Sequence, residues 1–278
     1  MSDFLVEHNR EVYGVAFFAT LSLVAFCEGI LPLRPATQSL GIRWGGNFGL
    51  GILSAVTVFL VFPIAGLAFS IVVVERGMGL IPSLDISAWL AVPLGVLAID
   101  LGRWGHHYLL HHVPFLWRFH RVHHADHDYD FTVGLRFHPV EALFTTFFIF
   151  FVIALIGPPP VAVVLADIFA AVSGLIAHAN SQTPEWVERY VRFVFVTPGM
   201  HRIHHSILRE EHDSNYASVF SFWDRVLRTY VAAPSMGQLG MTVGLVEFRD
   251  PRCLRLGWML MAPFRSTASP APVTSDGG

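Results

Sequence analysis

Between Arg43 and Glu75 the chain runs through residues 44–74, 31 positions, without one formal charge. A helix needs only about 20 apolar residues to cross roughly 30 Å of hydrocarbon. The run therefore reads as a membrane-spanning segment, and a bilayer accepts only segments whose backbone polar groups are paired inside the protein. Pro63 lies within it, which leaves two readings open: one kinked helix, or a helix followed by a re-entrant piece. Mean hydropathy of +0.53, with 53% hydrophobic residues, 24 Phe and 7 Trp, extends the membrane reading to the whole chain of 278 residues.

Four further runs follow the same logic. Gly14 to Leu33 carries Glu28 near its end and continues without a small-residue cleavage site, so it reads as a retained anchor rather than a signal peptide. Ile86 to Leu101 contains Asp100 and leads straight into histidines. Ala142 to Ile156 and Val161 to Ala177 flank the turn Gly157–Pro160, which makes them a hairpin. The expected fold class is thus all-α, an integral-membrane bundle of four or five spans with a polar helical cap. Arginines in the short loops set its orientation. Arg34 and Arg43 lie in the first loop and Arg76 alone in the second, and residues 102–140 and those after His178 are arginine-rich. These three arginine-rich regions are expected on the cytoplasmic side, with the N-terminus and the Gly157–Pro160 turn outside.

A formal net charge of −3 and the lack of an arginine-rich arm exclude nucleic acid as a natural partner. Cys27 and Cys253 are too few and too far apart for a disulfide framework or a thiolate metal site. A metal bound here would be bound by nitrogen.

Fifteen histidines supply that nitrogen, and all but His8 lie between positions 106 and 212. His107 and His111 are four apart. His120, His123 and His124 occur in HRVHHA, and His201, His204 and His205 repeat the triplet in HRIHHS. Residues three and four apart share a helix face, so each group can aim its rings at one point. Adjacent rings such as His123 and His124 diverge by about 100° at 3.6 residues per turn, and can serve two different ions. His138 and His178 stand singly. Imidazole suits Zn, Cu, Fe and Ni, and the absence of H-E-x-x-H and of a Cys-rich set argues against the common zinc sites. Roughly ten neutral nitrogens exceed one coordination sphere and would fill two.

The segments Asp100–His111 (DLGRWGHHYLLH), Leu116–Asp126 (LWRFHRVHHAD), Leu135–Glu141 (LRFHPVE), His178–Asn180 (HAN), Thr197–Ser206 (TPGMHRIHHS) and Asp213–Arg225 (DSNYASVFSFWDR) together resemble the fatty acid hydroxylase superfamily. Within it the likeness is greatest to bacterial members labelled sterol desaturase family proteins. The resemblance covers about residues 85–232, leaving 1–84 as N-terminal spans and 233–278 as a C-terminal interfacial segment with a disordered tail. It implies a multi-pass di-iron oxygenase of a bacterial inner membrane, with two Fe ions that Zn can replace on overexpression and O2 as co-substrate. It also implies a lipid-like substrate, hydroxylated or desaturated, and a separate electron donor of ferredoxin or cytochrome b5 type with its reductase.

Position by position, the family pattern carries over onto nine ligands: His107, His111, His120, His123, His124, His178, His201, His204 and His205. Family members have a second histidine four residues before the third-motif ligand, where this chain has Gly174. His138 is the natural substitute, although before Pro139 it equally reads as a helix cap. Ala125, Ala217 and the stretch Val226–Tyr230 also depart from the family pattern without removing a ligand. Asp100, Asp126, Asp130, Asn180, Asp213 and Asn215 sit beside the ligand groups, where they could accept the second imidazole N–H or simply cap helices. His106, His112, His127 and His212 match no motif position and read as supporting or exposed residues. Arg136 and Glu141 are expected to pair. Asp167, isolated in an apolar span, is what a metal transporter would carry; such a transporter, or a haem electron-transfer protein, is the alternative. The phenylalanine-rich TTFFIFF (Thr145–Phe151) fits either a substrate entrance or plain lipid contact.

Overall fold

The computed structural model describes residues 2–265; the tail assigned to disorder lies beyond them. Among the described residues there is no β-strand, only isolated bridges such as Phe195 with Phe220. Seven helices organise the bundle: α1 (Asn9–Ile30), α2 (Leu40–Val61), α3 (Gly66–Glu75), α4 (Ala88–His112), α5 (Pro114–His124), α6 (Pro139–Ile156) and α7 (Pro160–Ala177).

Proline and glycine punctuate these helices. α2 stops at Val61, since Phe62 precedes Pro63 and is pushed out of the helical region to φ −115°, ψ 78°. The chain restarts as the short α3, so of the two readings of Pro63 the structure has the broken one. Pro114, Pro139 and Pro160 each sit at a helix start, where a missing N–H costs nothing. α4 and α5 share Val113 as the end of one and the entry to the other, which makes a sharp corner between two histidine-bearing helices.

Four stretches are long and apolar enough to cross a membrane: Asn9–Ile30, Leu40–Ser83, Pro139–Ile156 and Pro160–Ala177. α4, which holds all but the first two residues of the predicted span Ile86–Leu101, is not among them. The helix is continuous for 25 residues, but Asp100, Arg103 and four histidines dilute its hydropathy. It packs between α6 and α7 nonetheless, with Arg103 bonded to Asp167 at 2.6 Å and His106 to Thr145 at 3.1 Å. Asp167 is thus an ion-paired residue of the bundle.

The outer faces of α1, α2 and α6 present Phe18, Phe26, Phe59 and Phe147, as lipid-facing surfaces do. In TTFFIFF, Phe147 and Phe151 point outward, Phe148 packs with the preceding Phe144 around His106, and Phe150 stacks on Phe69. At the far end, α3 closes against α4, α6 and α7 through Val73, Ile99, Ile149, Ile153 and Val163.

At the other end a cap covers the bundle. Its loop 126–136 is fastened by charges that are fully inside the protein. Arg43 donates to Asp126 (2.8 Å) and Asp130 (2.6 Å), and Arg136 donates to Asn47, Asp126 and the carbonyls of Val122 and Cys253. Burial alone would raise the pKa of Asp126, but Arg43 and Arg136 hold it at about 2. Residues 241–262 fold back over this loop, burying Val243, Leu245, Phe248, Leu254 and Met259. Arg43, expected to mark a cytoplasmic loop, is therefore a buried structural cation, and Arg34 is likewise engaged, by the carbonyl of Met241.

Gly157 ends α6 in the left-handed conformation, φ +64°, directly against Gly79 at φ +96°. A Cβ on Gly157 would collide with the carbonyl of Met78. Gly157→Ala is expected to lose at least the 1–2 kcal/mol or so of a left-handed L-residue and to lower the melting temperature in detergent. Gly105→Ala, where a Cβ meets open space, should leave that temperature unchanged or raise it.

Candidate metal centre

Nine histidines converge beneath the cap as two sets. One holds His107, His111, His120, His124 and a histidine of the helix α8 (Pro198–His204), His204; the other holds His123, His178, His201 and His205. Within each set the ligand-capable atoms lie within 4.8 Å of one another. The division follows from helix geometry. On α5, His120 and His124 are one turn apart and face the first set, and His123, rotated by about 100° from His124, faces the second. At the end of α8 the triplet divides the other way, with His204 in the first set and His201 and His205 in the second. Both triplets therefore contribute to both sets.

Oxygen acceptors behind the rings orient the first set. Nδ1 of His107 meets the carbonyl of Tyr216 at 2.8 Å, and Nδ1 of His204 meets that of Ser214 at 2.7 Å. Nδ1 of His120 meets Oε1 of Glu141 at 2.7 Å, and Nδ1 of His111 meets Oδ1 of Asp213 at 3.2 Å. A carbonyl can only accept, so Nδ1 carries the proton in His107 and His204 and leaves Nε2 as an unprotonated lone pair. Where ionised, Glu141 and Asp213 likewise only accept, which gives His120 and His111 the same tautomer. In the second set, Nδ1 of His178 donates to the carbonyl of Gly174 at 2.7 Å, and Tyr129 stacks over that ring with its hydroxyl held by Ala177.

The inward nitrogens then face one another. Nε2 of His120 lies 3.2 Å from Nε2 of both His107 and His124; Nε2 of His178 lies 3.3 Å from that of His123 and 3.1 Å from that of His201. Two lone pairs at such distances repel unless a cation sits between them. Nε2 of His111, His204 and His205 are buried with no hydrogen-bond partner. Unpaired buried acceptors are costly, and here two belong to the first set and one to the second. Protons are a poor substitute for a metal: burial first, then the neighbouring imidazoles, holds these histidines far below their ordinary pKa. Burial brings His107 and His178 down to about 4, against the opposing pull of their carbonyl bonds. A neutral, all-nitrogen, inward-facing donor set in two groups fits two borderline transition-metal ions.

The structure does not bring His138 to either set. Its Nδ1 accepts from the N–H of Val140, its Nε2 lies 3.4 Å from the carbonyl of Leu260, and its ring packs on Phe119, which is the helix-cap reading. The expected Arg136–Glu141 pair does not form either. Arg136 bonds Asp126 and Glu141 bonds His120 instead.

Of the six polar residues expected near the imidazoles, Asp213 alone touches one. Asp100 receives N–H bonds from Phe220 and Trp223, and Asp126 and Asp130 hold Arg43. Asn180 ties down Arg34, and Asn215, at φ +52°, ties Met200 to Val231. The acceptors that orient the rings are mostly backbone carbonyls, which a residue pattern does not reveal; Glu141 was visible as an acid in the first turn of α6. His212, expected to be supporting or exposed, is buried against Trp117 beside His111 and Asp213, a third close group. His106 and His127 are buried in bonds to Thr145 and the carbonyl of Phe248, and His112 is exposed.

A family model described as fatty acid hydroxylase matches residues 92–229, the stretch that holds all nine histidines. The chain is 26% identical over 241 residues to the ornithine lipid hydroxylase OlsE of Rhizobium tropici, covering 83% of this chain and 71% of that protein. It is 30% identical over 149 residues to human alkylglycerol monooxygenase, covering 52% of this chain and 32% of that one. It is 29% identical over 147 residues to cholesterol 25-hydroxylase of Rattus norvegicus, covering 52% and 48%. The chain thus matches most of the rhizobial protein but half or less of the other two. No solved structure matches it.

His204→Ala removes a nitrogen from the first set and should reduce bound metal, read by elemental analysis of protein purified anaerobically with iron. His138→Asn should keep full occupancy, and His138→Ala should lose only the 0.5–2 kcal/mol or so of a helix cap. Loss of metal from the Asn variant would return His138 to the centre.

Acid provides a separate check on metal-stripped protein. The folded chain keeps these rings neutral, so below 6.5, the ordinary histidine value, the unfolded chain binds more protons. Stability should be complete above 6.5 and fall progressively toward about 4, where His107 and His178 titrate in the fold. A melting temperature that does not change across that window would contradict the burial of neutral imidazoles.

Proposed function

We propose that this chain, which belongs to the fatty acid hydroxylase superfamily of membrane lipid hydroxylases and monooxygenases, is a di-iron enzyme that oxidises a C–H bond of a bilayer-dissolved lipid with O2. The observation that carries the di-metal reading is the division of nine inward-facing imidazoles into sets of five and four. His107, His111, His120, His124 and His204 would hold one ion, and His123, His178, His201 and His205 the other. Iron bound there would supply the redox chemistry that activates O2 toward an unactivated C–H bond. The relatives' names are all of lipid-oxidising enzymes, which supports a lipid substrate. Hydroxylation and desaturation remain the two outcomes.

The chain's own part is positional. Tyr216, Ser214, Glu141, Asp213 and Gly174 keep a proton on the outer nitrogen of five rings, so that the inner nitrogen is always free. Burial of the rings excludes water from their inner nitrogens, which keeps a reactive centre from being quenched. Asp213 also bonds the exposed Arg209, and so connects His111 to the cap surface. Electrons would arrive there from a separate donor of ferredoxin or cytochrome b5 type with its reductase. The transporter and haem alternatives lack support: Asp167 is neutralised by Arg103, and the imidazoles gather in two compact sets at the helix ends.

Orientation is part of the same reading. With Arg34 and Arg43 absorbed by the fold, the histidine end still presents Arg118, Arg189, Arg209, Arg228, Arg249 and Arg255 on its surface, against Arg10 and Arg76 at the far end. That asymmetry supports a cytoplasmic cap in a bacterial inner membrane. In a Cys27→Ser background, Ser83→Cys beside the Gly157 turn should react with an impermeant maleimide added to intact cells, and Glu210→Cys should not. The opposite pattern would reverse the topology.

Lipid profiling of cells with the active protein and with His204→Ala tests the chemistry. The active protein should yield a lipid heavier by one oxygen or lighter by two hydrogens. Identical profiles from a folded, two-metal protein supplied with reductant would refute the oxygenase reading.

A further inference from the structure

The cap does not only cover the bundle; part of it descends beside it. Residues 192–196 and 219–221 pair antiparallel, with the N–H of Val196 bonded to the carbonyl of Val219 and the N–H of Ser221 to that of Val194. This paired unit is anchored at two depths. Ser173 donates to the carbonyl of Ser218 at 2.7 Å, and Asp100 accepts from the N–H groups of Phe220 and Trp223 at 3.0 and 3.1 Å. Ser173 stands five residues before His178 on α7 and Asp100 seven before His107 on α4. At 1.5 Å per residue those anchors lie about 7 and 10 Å toward the bilayer from the histidine level. The α7 anchor is inside a helix apolar enough to span.

What the unit presents outward is apolar. Phe193 is 60% exposed, Val226 67%, and Val194 and Phe195 are nearly half exposed. This surface continues onto Leu101 of α4 and Ile176 of α7, which face outward on the neighbouring helices. Exposed Tyr190 and Trp186 flank it, with Arg189 and Arg228. Aromatic rings beside arginine above an apolar tip is the composition of a membrane–water boundary. A depth of about 5–10 Å is that of interfacial elements.

We infer that the paired segments 192–196 and 219–226 are a lipid-inserted wedge, whose partner is the leaflet on the histidine side. The inference depends on the spans and on no feature of the metal chemistry. It gives Asp100 a role: this buried carboxylate on α4 holds the wedge down at the depth where its phenylalanines meet acyl chains. The wedge is continuous with Tyr216, whose carbonyl orients His107, so lipid contact and the first histidine set share one segment.

Nitroxide labels on Phe193→Cys and Val226→Cys, in a Cys27→Ser background reconstituted into phosphatidylglycerol and phosphatidylcholine vesicles, test this. Phe147→Cys on α6 supplies the lipid reference and Glu210→Cys the water reference; metal content equal to that of the unsubstituted chain certifies each fold. Labels at 193 and 226 should collide with O2 in preference to a water-soluble nickel chelate, as at 147. Chelate access matching that at 210 would overturn the wedge, and so would labels immobilised and shielded from both relaxants, which would mean that protein covers this face.

Discussion

Mutual repulsion of buried lone pairs is the constraint on which the rest of this structure depends. Imidazole nitrogens that approach within 3.1–3.3 Å, with protons directed outward, make an arrangement that a metal-free chain would not favour. Something must hold the rings inward, and for five of the nine the carbonyls and carboxylates behind them do so. Each outer acceptor satisfies one buried N–H and in the same act exposes one lone pair to the centre. Metal binding would relieve the cost of that geometry, so folding of the cap and loading of the centre are thermodynamically linked.

That arrangement needs a rigid support, and the support is ionic. Arg43 reaches from α2 into the loop after the first histidine triplet, where Asp126 and Asp130 receive it, and Arg136 closes the same loop from below. Charges this deeply buried tolerate no missing partner: losing one leaves about 3–5 kcal/mol of uncompensated charge. The network therefore specifies one position of the loop relative to α2. It connects a membrane helix to the segment just after His124, and so holds the cap in register with the bundle.

Bilayer and centre are coupled through α4. Its first half packs among the apolar helices, Asp100 and Arg103 tie its middle to the cap and to α7, and its last two turns bear His107 and His111. A helix with these duties could not be uniformly apolar, which is why its hydropathy falls below that of the four clear spans. The proposed wedge places the cap's phenylalanines beside the same helix, so a lipid chain moving along it would approach the first histidine set without crossing water.

Much of this was legible beforehand because it depends on local periodicity. Runs of apolar residues, prolines at helix starts and the 3.6-residue turn determine which segments are helices, and that the rings of His123 and His124 diverge. Side-chain identity alone indicated nitrogen ligands. Other features required chain segments distant in sequence to meet. The ring acceptors are chiefly main-chain carbonyls of residues 174, 214 and 216, and a carbonyl is present at every position, so its use leaves no mark in the sequence. Arg43 read as a loop cation because the loop is nearby in sequence; its carboxylate partners are 83 and 87 positions away. His138 could be a ligand or a cap on pattern alone, since both need one free nitrogen; in the fold its Nδ1 accepts from the N–H of Val140 and its ring packs on Phe119, outside both histidine sets. Periodicity sets what a helix can present, and only the packed fold selects the partner that each face meets.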